Sequence, residues 1–297
     1  MSNDWFQESS DGFYLAFGAR PDGSPVPSSC WRLVCFDSIT STMDAARKWS
    51  AVREQLTCRS YSLNLEAPRP QLGESVVFLA RSQSAGRGRQ GNEWVSSLDS
   101  GLYLTYLWNS SLPVSALGGF SLAVGVAVSE ALEHFGIQTQ CKWPNDIVVS
   151  RGNDLQKIAG ILVETWTDSE ELSFVSTGIG VNLRSDSKVK AFNGICMEEL
   201  GIGRGSEAEL FEIVSQRVTA LVNEFQSGGF SDILDRFERR SALRDKQVEI
   251  LRSGVRKMYS VLGVAVDGGL RVRGMHNGSE EDVIYAGEVT LHHAYRS

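Results

Sequence analysis

The residues best suited to chemistry lie between Ser82 and Trp94, where the sequence reads S-Q-S-A-G-R-G-R-Q-G-N-E-W. The centre of this stretch places three glycines and two arginines within six residues. Glycine has no Cβ and tolerates positive φ, so the backbone can approach a ligand closely. Arginine carries a permanent charge and a planar fork of donors that suits phosphate and carboxylate groups. The stretch therefore predicts a loop that encloses an anion, with a mobile surface loop as the alternative.

The same glycines spell G-x-G-x-x-G, which is also the pattern of a dinucleotide-binding turn. That turn requires a strand before the glycines and a helix directly after them. Ser75–Ala80 has the composition of a strand, but so does Leu102–Trp108 on the other side of the loop. The glycines thus lie between two predicted strands, and the pattern does not favour dinucleotide binding.

A second group of polar residues surrounds Pro144, with Lys142 and Trp143 before it and Asn145 and Asp146 after it. Proline removes a backbone donor and fixes φ, so it suits a bend or a sheet edge. The segment therefore predicts a corner between these two pairs of residues.

Two further predicted strands carry glycines that leave room for a ligand. Lys157 begins a strand that runs to Glu164, and Gly160 within it permits close backbone approach. Gly178 and Gly180 alternate in the next strand, so both face one side and flatten it. The pattern predicts a ligand-binding face, and a barrel-like kink is the alternative.

A helix is predicted from Met43 to about Leu56, and Ser41 and Thr42 stand at its start. Ser41 with Asp44 three residues later resembles a capping box. The free N–H groups at a helix N-terminus attract anions, so this end is a candidate part of a binding site. Simple capping by Ser41 and Thr42 is the alternative.

The candidate groups bring positive charge to anions but include no nucleophile. The chain has no Walker lysine motif and no Ser/His/Asp arrangement, and its four histidines show no metal-ligand spacing. These histidines are His134, His276, His292 and His293. A reaction that suits such groups is attack of one bound anion on another, such as a carboxylate on an α-phosphate. Positioning and electrostatic stabilisation would carry it, and the product would be an acyl-adenylate.

Composition places the chain among ordinary globular proteins. It has 297 residues, of which 42% are hydrophobic and 22% charged. A net charge of -7 argues against a general polyanion-binding surface. The five cysteines form no C-x-x-C pair, which is typical of free thiols in a reducing compartment. No apolar stretch approaches about 18 residues and the N-terminus lacks signal-peptide features, so a cytoplasmic protein is expected.

The predicted elements divide the chain into three regions. We expect an irregular extension over residues 1–30, a catalytic domain over residues 31–240 and a small all-β domain over residues 245–297. The other predicted helices are Val114–Phe135, Glu207–Phe225 and Phe230–Arg240, and loops are expected at 57–74 and 184–205. The predicted strands of the last region are Val248–Leu251, Met258–Val266, Leu270–Arg273, Asp282–Ala286 and Glu288–His292.

Four blocks together resemble the signature blocks of biotin–protein ligases, in that family's order and spacing. They are G-R-G-R-Q-G-N-E-W from Gly86, K-W-P-N-D from Lys142, K-I-A-G-I-L from Lys157 and G-I-G-V-N from Gly178. The resemblance covers roughly residues 31–295. It implies an α+β fold: a mixed β-sheet catalytic domain of the biotin/lipoate ligase type with flanking helices, followed by a small SH3-like β-barrel.

The resemblance also implies a two-step reaction. Biotin and Mg-ATP give biotinyl-5′-AMP and pyrophosphate, and a lysine of a biotin carboxyl carrier domain then takes the biotinyl group as an amide. The enzyme would be an ATP-dependent, AMP-forming ligase with biotin, ATP and Mg²⁺ as its small molecules. Nucleic acid and membranes are not expected as partners. A monomer or a homodimer is expected, with the strand Leu102–Trp108 as a candidate dimer edge.

The resemblance also implies roles for individual residues, each assigned by its position in the matching motifs. Residues implied to bind biotin are Ser41, Thr42, Gln83, Gly86, Arg87, Gly88, Arg89, Lys157, Gly160 and Gly180. Residues implied to bind ATP are Arg89, Trp94, Lys142, Asn145, Lys157 and Asn182. Catalytic roles fall to Arg89, which would grip the carboxylate and then the phosphate, to Lys157 and to Asp146. No side chain is assigned to a metal.

Two departures from the family pattern concern Met43 and the N-terminus. Met43 stands where the family usually has Asn, which affects one biotin contact. The helix-turn-helix of repressor-type members is missing before residue 31, so we expect no regulation of transcription. A lipoate ligase is one alternative, although the loop from Gly86 and the C-terminal β domain favour biotin. A non-catalytic biotin-binding regulator is another, against which Arg89 and Lys157 together argue.

Overall fold

The computed structural model describes residues 15–16, 31–51, 56–58, 61–63, 75–152, 154–167, 173–252, 254–275 and 281–291. The chain divides into two compact units, each formed by two segments. The first unit comprises residues 1–114 and 158–216, and the second comprises residues 115–157 and 217–297.

Regular elements follow one another along the chain as β1 (Leu15–Ala16), β2 (Trp31–Phe36), α1 (Thr42–Ala51), β3 (Leu56–Cys58), β4 (Tyr61–Leu63), β5 (Ser75–Ala80), β6 (Gly101–Ser110), α2 (Phe120–Glu133), β7 (Gln140–Lys142), β8 (Asp146–Arg151), β9 (Asp154–Thr167), β10 (Ser173–Asn182), α3 (Ser187–Ala191), α4 (Glu207–Gly228), α5 (Leu234–Arg240), β11 (Gln247–Arg252), β12 (Val255–Val264), β13 (Leu270–Gly274), β14 (Glu281–Ile284) and β15 (Glu288–Leu291).

The first unit is built on a mixed sheet with the strand order β1-β2-β5-β6-β10-β9. Strands β2 and β5 run parallel, whereas the other neighbouring pairs run antiparallel. Helix α1 packs on one face of this sheet, where Trp49 meets Phe78 edge to face with ring centroids 5.5 Å apart. The predicted mixed sheet with flanking helices is confirmed.

Strand β6 lies in the interior of this sheet, so the prediction of a dimer edge at Leu102–Trp108 is wrong. Its residues pair with β5 on one side and with the whole of β10 on the other. A dimer edge needs a row of unpaired backbone groups, and this strand has partners on both sides. Its strongly apolar sequence instead reflects a strand that is buried on both faces, as its burial pattern shows.

The second unit contains the hairpin β7–β8, helices α2 and α5, and an antiparallel sheet with the order β14-β13-β12-β11-β15. Eleven of the fourteen residues of α2 are buried, which agrees with its prediction as a core helix. The five strands after Lys246 are confirmed, and the sheet they form matches the expected SH3-like domain. The carboxylate of Glu238 in α5 accepts from the Val264 N–H at 2.6 Å and ties that helix to β12.

Several predicted boundaries are wrong. Helix α1 ends at Ala51 and Leu56 already begins β3, which pairs with β4 where a loop was expected. Helix α2 begins at Phe120, not at Val114, because Gly119 before it adopts a positive φ of 77°. The expected loop at 184–205 contains α3, whose first turn is capped by Asp186.

Candidate functional site

The stretch from Ser82 to Trp94, called the glycine loop below, folds back on itself in the first unit. Arg87 pairs with Glu93 as an antiparallel bridge, and the Gly88 N–H donates to the Asn92 carbonyl at 2.7 Å. At the tip, Gln90 and Gly91 have φ values of 56° and 79°, the left-handed conformation that closes a tight turn. The loop is therefore an ordered hairpin with Arg89 at the start of its tip.

Backbone hydrogen bonds attach the base of the glycine loop to the segment before α1. The N–H groups of Ser84 and Ala85 donate to the carbonyls of Ile39 and Thr40, each at 2.9 Å. A Cβ on Gly86 would lie 2.3 Å from the Trp94 carbonyl oxygen, so only glycine allows the two arms of the loop to meet there. The G-R-G-R spacing thus has a structural cause at its first glycine.

A chain of polar contacts joins the loop to the start of α1. Gln83 donates to the Ser96 hydroxyl at 2.8 Å and accepts from the Thr42 N–H at 2.8 Å. Thr105 in β6 donates to the Thr42 hydroxyl at 2.8 Å. The Ser41 hydroxyl accepts from the Met43 N–H at 3.2 Å, so the first N–H groups of α1 are bound within the protein. This network holds Ser41, Thr42 and Gln83 in place.

Three glycines remove side chains from part of one face of β9 and β10, and we call Gly160, Gly178 and Gly180 the glycine face. Gly160 and Gly180 lie opposite each other in the strand pair. A Cβ on Gly180 would lie 2.3 Å from the Trp94 indole, and a Cβ on Gly178 would lie 2.8 Å from the Met43 sulfur. The two side chains therefore cover Gly178 and Gly180, the alternating glycines for which the sequence predicted a flat patch.

Arg87 is bound by two carboxylates of the first unit. Its Nη1 lies 3.0 Å from Asp44 Oδ1 in α1, and its Nη1 and Nη2 both donate to Glu164 in β9. Asp44 thus contacts the loop, whereas the capping-box pattern suggested a contact with the start of its own helix. Sequence reasoning missed both carboxylates, because they lie 43 and 77 residues from Arg87.

In the second unit, Lys142, Asp146 and Lys157 form a charged cluster. Lys157 Nζ lies 2.6 Å from Asp146 Oδ1. Burial lowers the pKa of Lys142 below its ordinary value of 10.5; the nearby positive charge of Lys157 adds to this, while Asp146 opposes it. The cluster therefore concentrates two cationic groups, of which one is desolvated.

Trp143 lies between the members of this cluster in sequence and is buried. Its Nε1–H donates at 3.0 Å to the carbonyl of Gly268, which belongs to the turn between β12 and β13. The sequence singled out Trp143 only as part of a corner, and nothing local pointed to a partner 125 residues away.

The structure thus groups the predicted site residues by unit. In the first unit, the loop residues Gln83 to Trp94 lie close to Ser41, to Thr42 and to the glycine face. In the second unit, Asn145 belongs to the same short segment as Lys142 and Asp146. Asn182 is buried at the end of β10, where its amide donates to the Ile195 carbonyl at 3.2 Å.

Within the described ranges, no cluster of three or more His, Cys, Asp or Glu side chains is arranged to hold a metal ion. Of the histidines, His276, His292 and His293 lie outside those ranges. None of the helices in the described part of the chain has both the length and the apolar character needed to cross a membrane.

The amino-acid sequence is similar to a known protein family and to several characterised proteins. Residues 53–182 match the model of the Biotin/lipoate A/B protein ligase family. The Bifunctional ligase/repressor BirA of Escherichia coli is 28% identical over 185 residues, which cover 61% of this chain and 56% of that protein. The chain thus spans little more than half the length of that curated relative.

Two further similarities extend over more of the chain. The Biotin–[acetyl-CoA-carboxylase] ligase of Paracoccus denitrificans is 28% identical over 231 residues, which cover 74% of this chain and 93% of that protein. Among solved structures, the biotin protein ligase of Aquifex aeolicus in complex with biotin and ATP matches with a TM-score of 0.66 at 23% identity. The match covers 88% of this chain and 99% of that one and shows a shared fold.

Proposed function

We propose that the chain, whose residues 53–182 match the biotin/lipoate A/B protein ligase family, is a biotin–protein ligase. It activates biotin with ATP to biotinyl-5′-AMP and transfers the biotinyl group to a lysine of a biotin carboxyl carrier domain. The observation that carries the proposal is the covering of the glycine face by Trp94 of the arginine-bearing loop. Such a face offers a flat surface to a bicyclic ring, next to a loop suited to anions.

For biotin, the proposed contacts follow the motif positions. Ser41, Thr42 and Gln83 are already held by the polar network, so their remaining hydrogen-bonding capacity is pre-oriented. The backbone from Gly86 to Arg89 would bind the acid chain, and the bicyclic ring would lie against Gly160 and Gly180.

For the nucleotide, the proposed contacts are the motif residues Trp94, Lys142, Asn145 and Asn182, together with the two cations that act in catalysis. Arg89 and Lys157 would neutralise the repulsion between the biotin carboxylate and the α-phosphate, which is the main obstacle to their reaction. Asp146 Oδ1 lies 2.6 Å from Lys157 Nζ. Asp146 would also orient the acceptor lysine in the second step.

Further parts of the proposal rest on the family alone. ATP would act as its Mg²⁺ complex, with no protein side chain assigned to the ion. The acceptor would be the carrier domain of a biotin-dependent carboxylase in the cytoplasm, and the protein would act as a monomer or homodimer. The division at residues 31–240 and 245–297 into catalytic and SH3-like domains remains a prediction.

The reaction is tested by incubating the purified protein with Mg-ATP and a biotin carboxyl carrier domain, with biotin or lipoate in parallel. We expect the mass of the carrier to increase by one biotinyl group only in the biotin reaction. A gain with lipoate alone would assign the chain to lipoate ligation. Tight biotin binding without AMP formation would make it a binding protein and direct attention to Met43.

The role of Arg89 is tested by Arg89→Gly, with Arg204→Gly as the control because Arg204 is an exposed arginine in a turn. If Arg89 retains the adenylate, the first variant releases biotinyl-AMP and labels bystander proteins, whereas the control remains selective. Unchanged selectivity in Arg89→Gly would contradict the proposed role.

A further inference from the structure

We propose that Asp44 and Glu164 are positioning residues that hold the glycine loop over the glycine face by binding the guanidinium of Arg87. The contact would determine how long an activated acyl group stays beneath the loop. This inference rests on the proposed function for its catalytic consequence but not for the contact itself.

The contact joins three separate elements of the first unit. Arg87 belongs to the loop, Asp44 to the first turn of α1 and Glu164 to β9, the strand that also carries Gly160. Glu164 receives both terminal nitrogens of the guanidinium, which is the bidentate geometry that fixes an arginine most firmly. One side chain therefore ties the loop to both the helix and the strand beneath it.

Few other side chains can perform this function in that part of the loop. Gly86 and Gly88 flank Arg87 and have no side chains, so Arg87 supplies the side-chain anchor between them. The Gly86 carbonyl accepts from the Trp94 N–H at 2.9 Å, and the Trp94 indole lies against Gly180. A loop released at Arg87 would therefore also loosen the residue that covers the glycine face.

Charge and exposure make the contact reversible. Two carboxylates share one guanidinium, so they repel each other once Arg87 leaves. The side chains of Arg87, Asp44 and Glu164 are 39%, 43% and 26% exposed, so solvent and salt screen the attraction. Such a contact suits a loop that must open for substrates and close during the reaction.

The contacts of the Arg87 guanidinium also distinguish the role of Arg87 from that of Arg89. Its terminal nitrogens are directed at Glu164 and Asp44, so its side chain acts on the loop, while its backbone remains available to a ligand. If Arg87 instead bound the substrate carboxylate through its side chain, removing Glu164 would free it and tighten biotin binding.

The contact is tested by Glu164→Gln and Asp44→Asn, which remove charge while keeping shape. Glu207→Gln is the matched control, because Glu207 binds Arg184 in the same unit with similar exposure. The first measurement is the rate of tryptic cleavage after Arg89 in the folded protein, without biotin or ATP. Cleavage follows the population of the open loop, and we expect about a fivefold increase for each carboxylate variant but not for the control.

Arg87→Met, alone and combined with Glu164→Gln, completes a double-mutant cycle for this contact. It should accelerate cleavage after Arg89, and Glu164→Gln added to it should cause no further increase, because the partner is already gone. High salt should accelerate cleavage of the unsubstituted protein more than that of Arg87→Met. Additive effects in the double variant would overturn the direct contact.

The second measurement is release of biotinyl-AMP into solution, compared with the thermal unfolding midpoint. Glu164→Gln and Asp44→Asn should each release the adenylate several times faster with unchanged unfolding midpoints. Tighter biotin binding, or faster cleavage without faster release, would overturn the positioning role. If the unsubstituted protein forms no biotinyl-AMP, the proposed function and this catalytic consequence fail together, whereas the cleavage result still decides the contact.

Discussion

Two regions of the molecule use glycines to bring atoms unusually close, and they do so for different ends. In the first unit the neighbours of Gly178 and Gly180 are side chains, Met43 and Trp94. In the second unit a Cβ on Gly268 would lie 2.4 Å from the Gly119 Cα, so the neighbour is backbone. A side chain can move aside for a ligand, whereas packed backbone cannot. The first region is therefore suited to binding and the second to fixing the C-terminal sheet to α2.

The tryptophans of the two regions differ in the same way. Trp143 is buried and its Nε1–H donates to the Gly268 carbonyl. Trp94 is half-buried on the glycine loop, where it covers Gly180. The contrast yields four predictions, from the largest expected effect to the smallest.

Gly268→Ala should be the most damaging substitution, because its Cβ would collide with the Gly119 backbone and its φ of 82° is unfavourable for alanine. We expect a loss of about 3 kcal/mol in the free energy of unfolding, measured with urea. Gly254→Ala is the control, because its φ is 77° but nothing lies within 4 Å of the added carbon. Equal losses in both variants would show that backbone conformation, not the close approach, sets the cost.

Gly180→Ala should act mainly on binding. The added carbon would displace the Trp94 indole and would project from the glycine face into the space proposed for the biotin ring. We therefore expect the KM for biotin to increase about tenfold, equivalent to about 1.4 kcal/mol. The free energy of unfolding should change less than for Gly268→Ala. Gly203→Ala, which meets nothing within 4 Å, should change neither quantity. A stability loss as large as that of Gly268→Ala would remove the distinction between the two regions.

Trp143→Phe removes the hydrogen bond to Gly268 while keeping most of the ring. We expect a loss of about 1 kcal/mol in the free energy of unfolding, since the Gly268 carbonyl loses its donor. Trp94→Phe should leave stability almost unchanged and weaken biotin binding, as calorimetry can measure. If Trp94→Phe lowered the stability and Trp143→Phe weakened biotin binding, the roles assigned to the two tryptophans would be wrong.

Lys142→Met should produce the smallest effect on the free energy of unfolding, and the size of this effect depends on pH. Burial holds the folded-state pKa of Lys142 below 10.5, so the unfolded state binds more protons between the two pKa values. This contribution makes the free energy of unfolding rise with pH across that window, and the rise is complete above the unfolded pKa. The variant should therefore lack part of the rise seen in the unsubstituted protein as the pH approaches 10.5 from below. Parallel stability curves would contradict desolvation of this lysine.

Much of the fold and of the candidate site follows from local sequence pattern. The five C-terminal strands, the alternating glycines of β10 and the loop between two strands were all predictable, because each depends on spacing within one element. Helix α1 was predicted too long because apolar residues continue in the sequence beyond Ala51, whereas Leu56 already belongs to β3. The prediction of a dimer edge at Leu102–Trp108 was wrong because an apolar strand has the same sequence pattern in the interior of a sheet as at its edge.

The sequence by itself determined which residue types are present and in what order: the arginines in a glycine loop, the two lysines of the strand segments and the glycines on one strand face. The expectation that Lys157 begins its strand was wrong, because β9 begins at Asp154. Tertiary structure alone decided their partners. Arg87 meets Asp44 and Glu164, and Trp143 meets Gly268, across separations of 43, 77 and 125 residues. The physical reason is that hydrophobic periodicity specifies an element and its buried face, whereas the contacts of a side chain depend on which elements pack together.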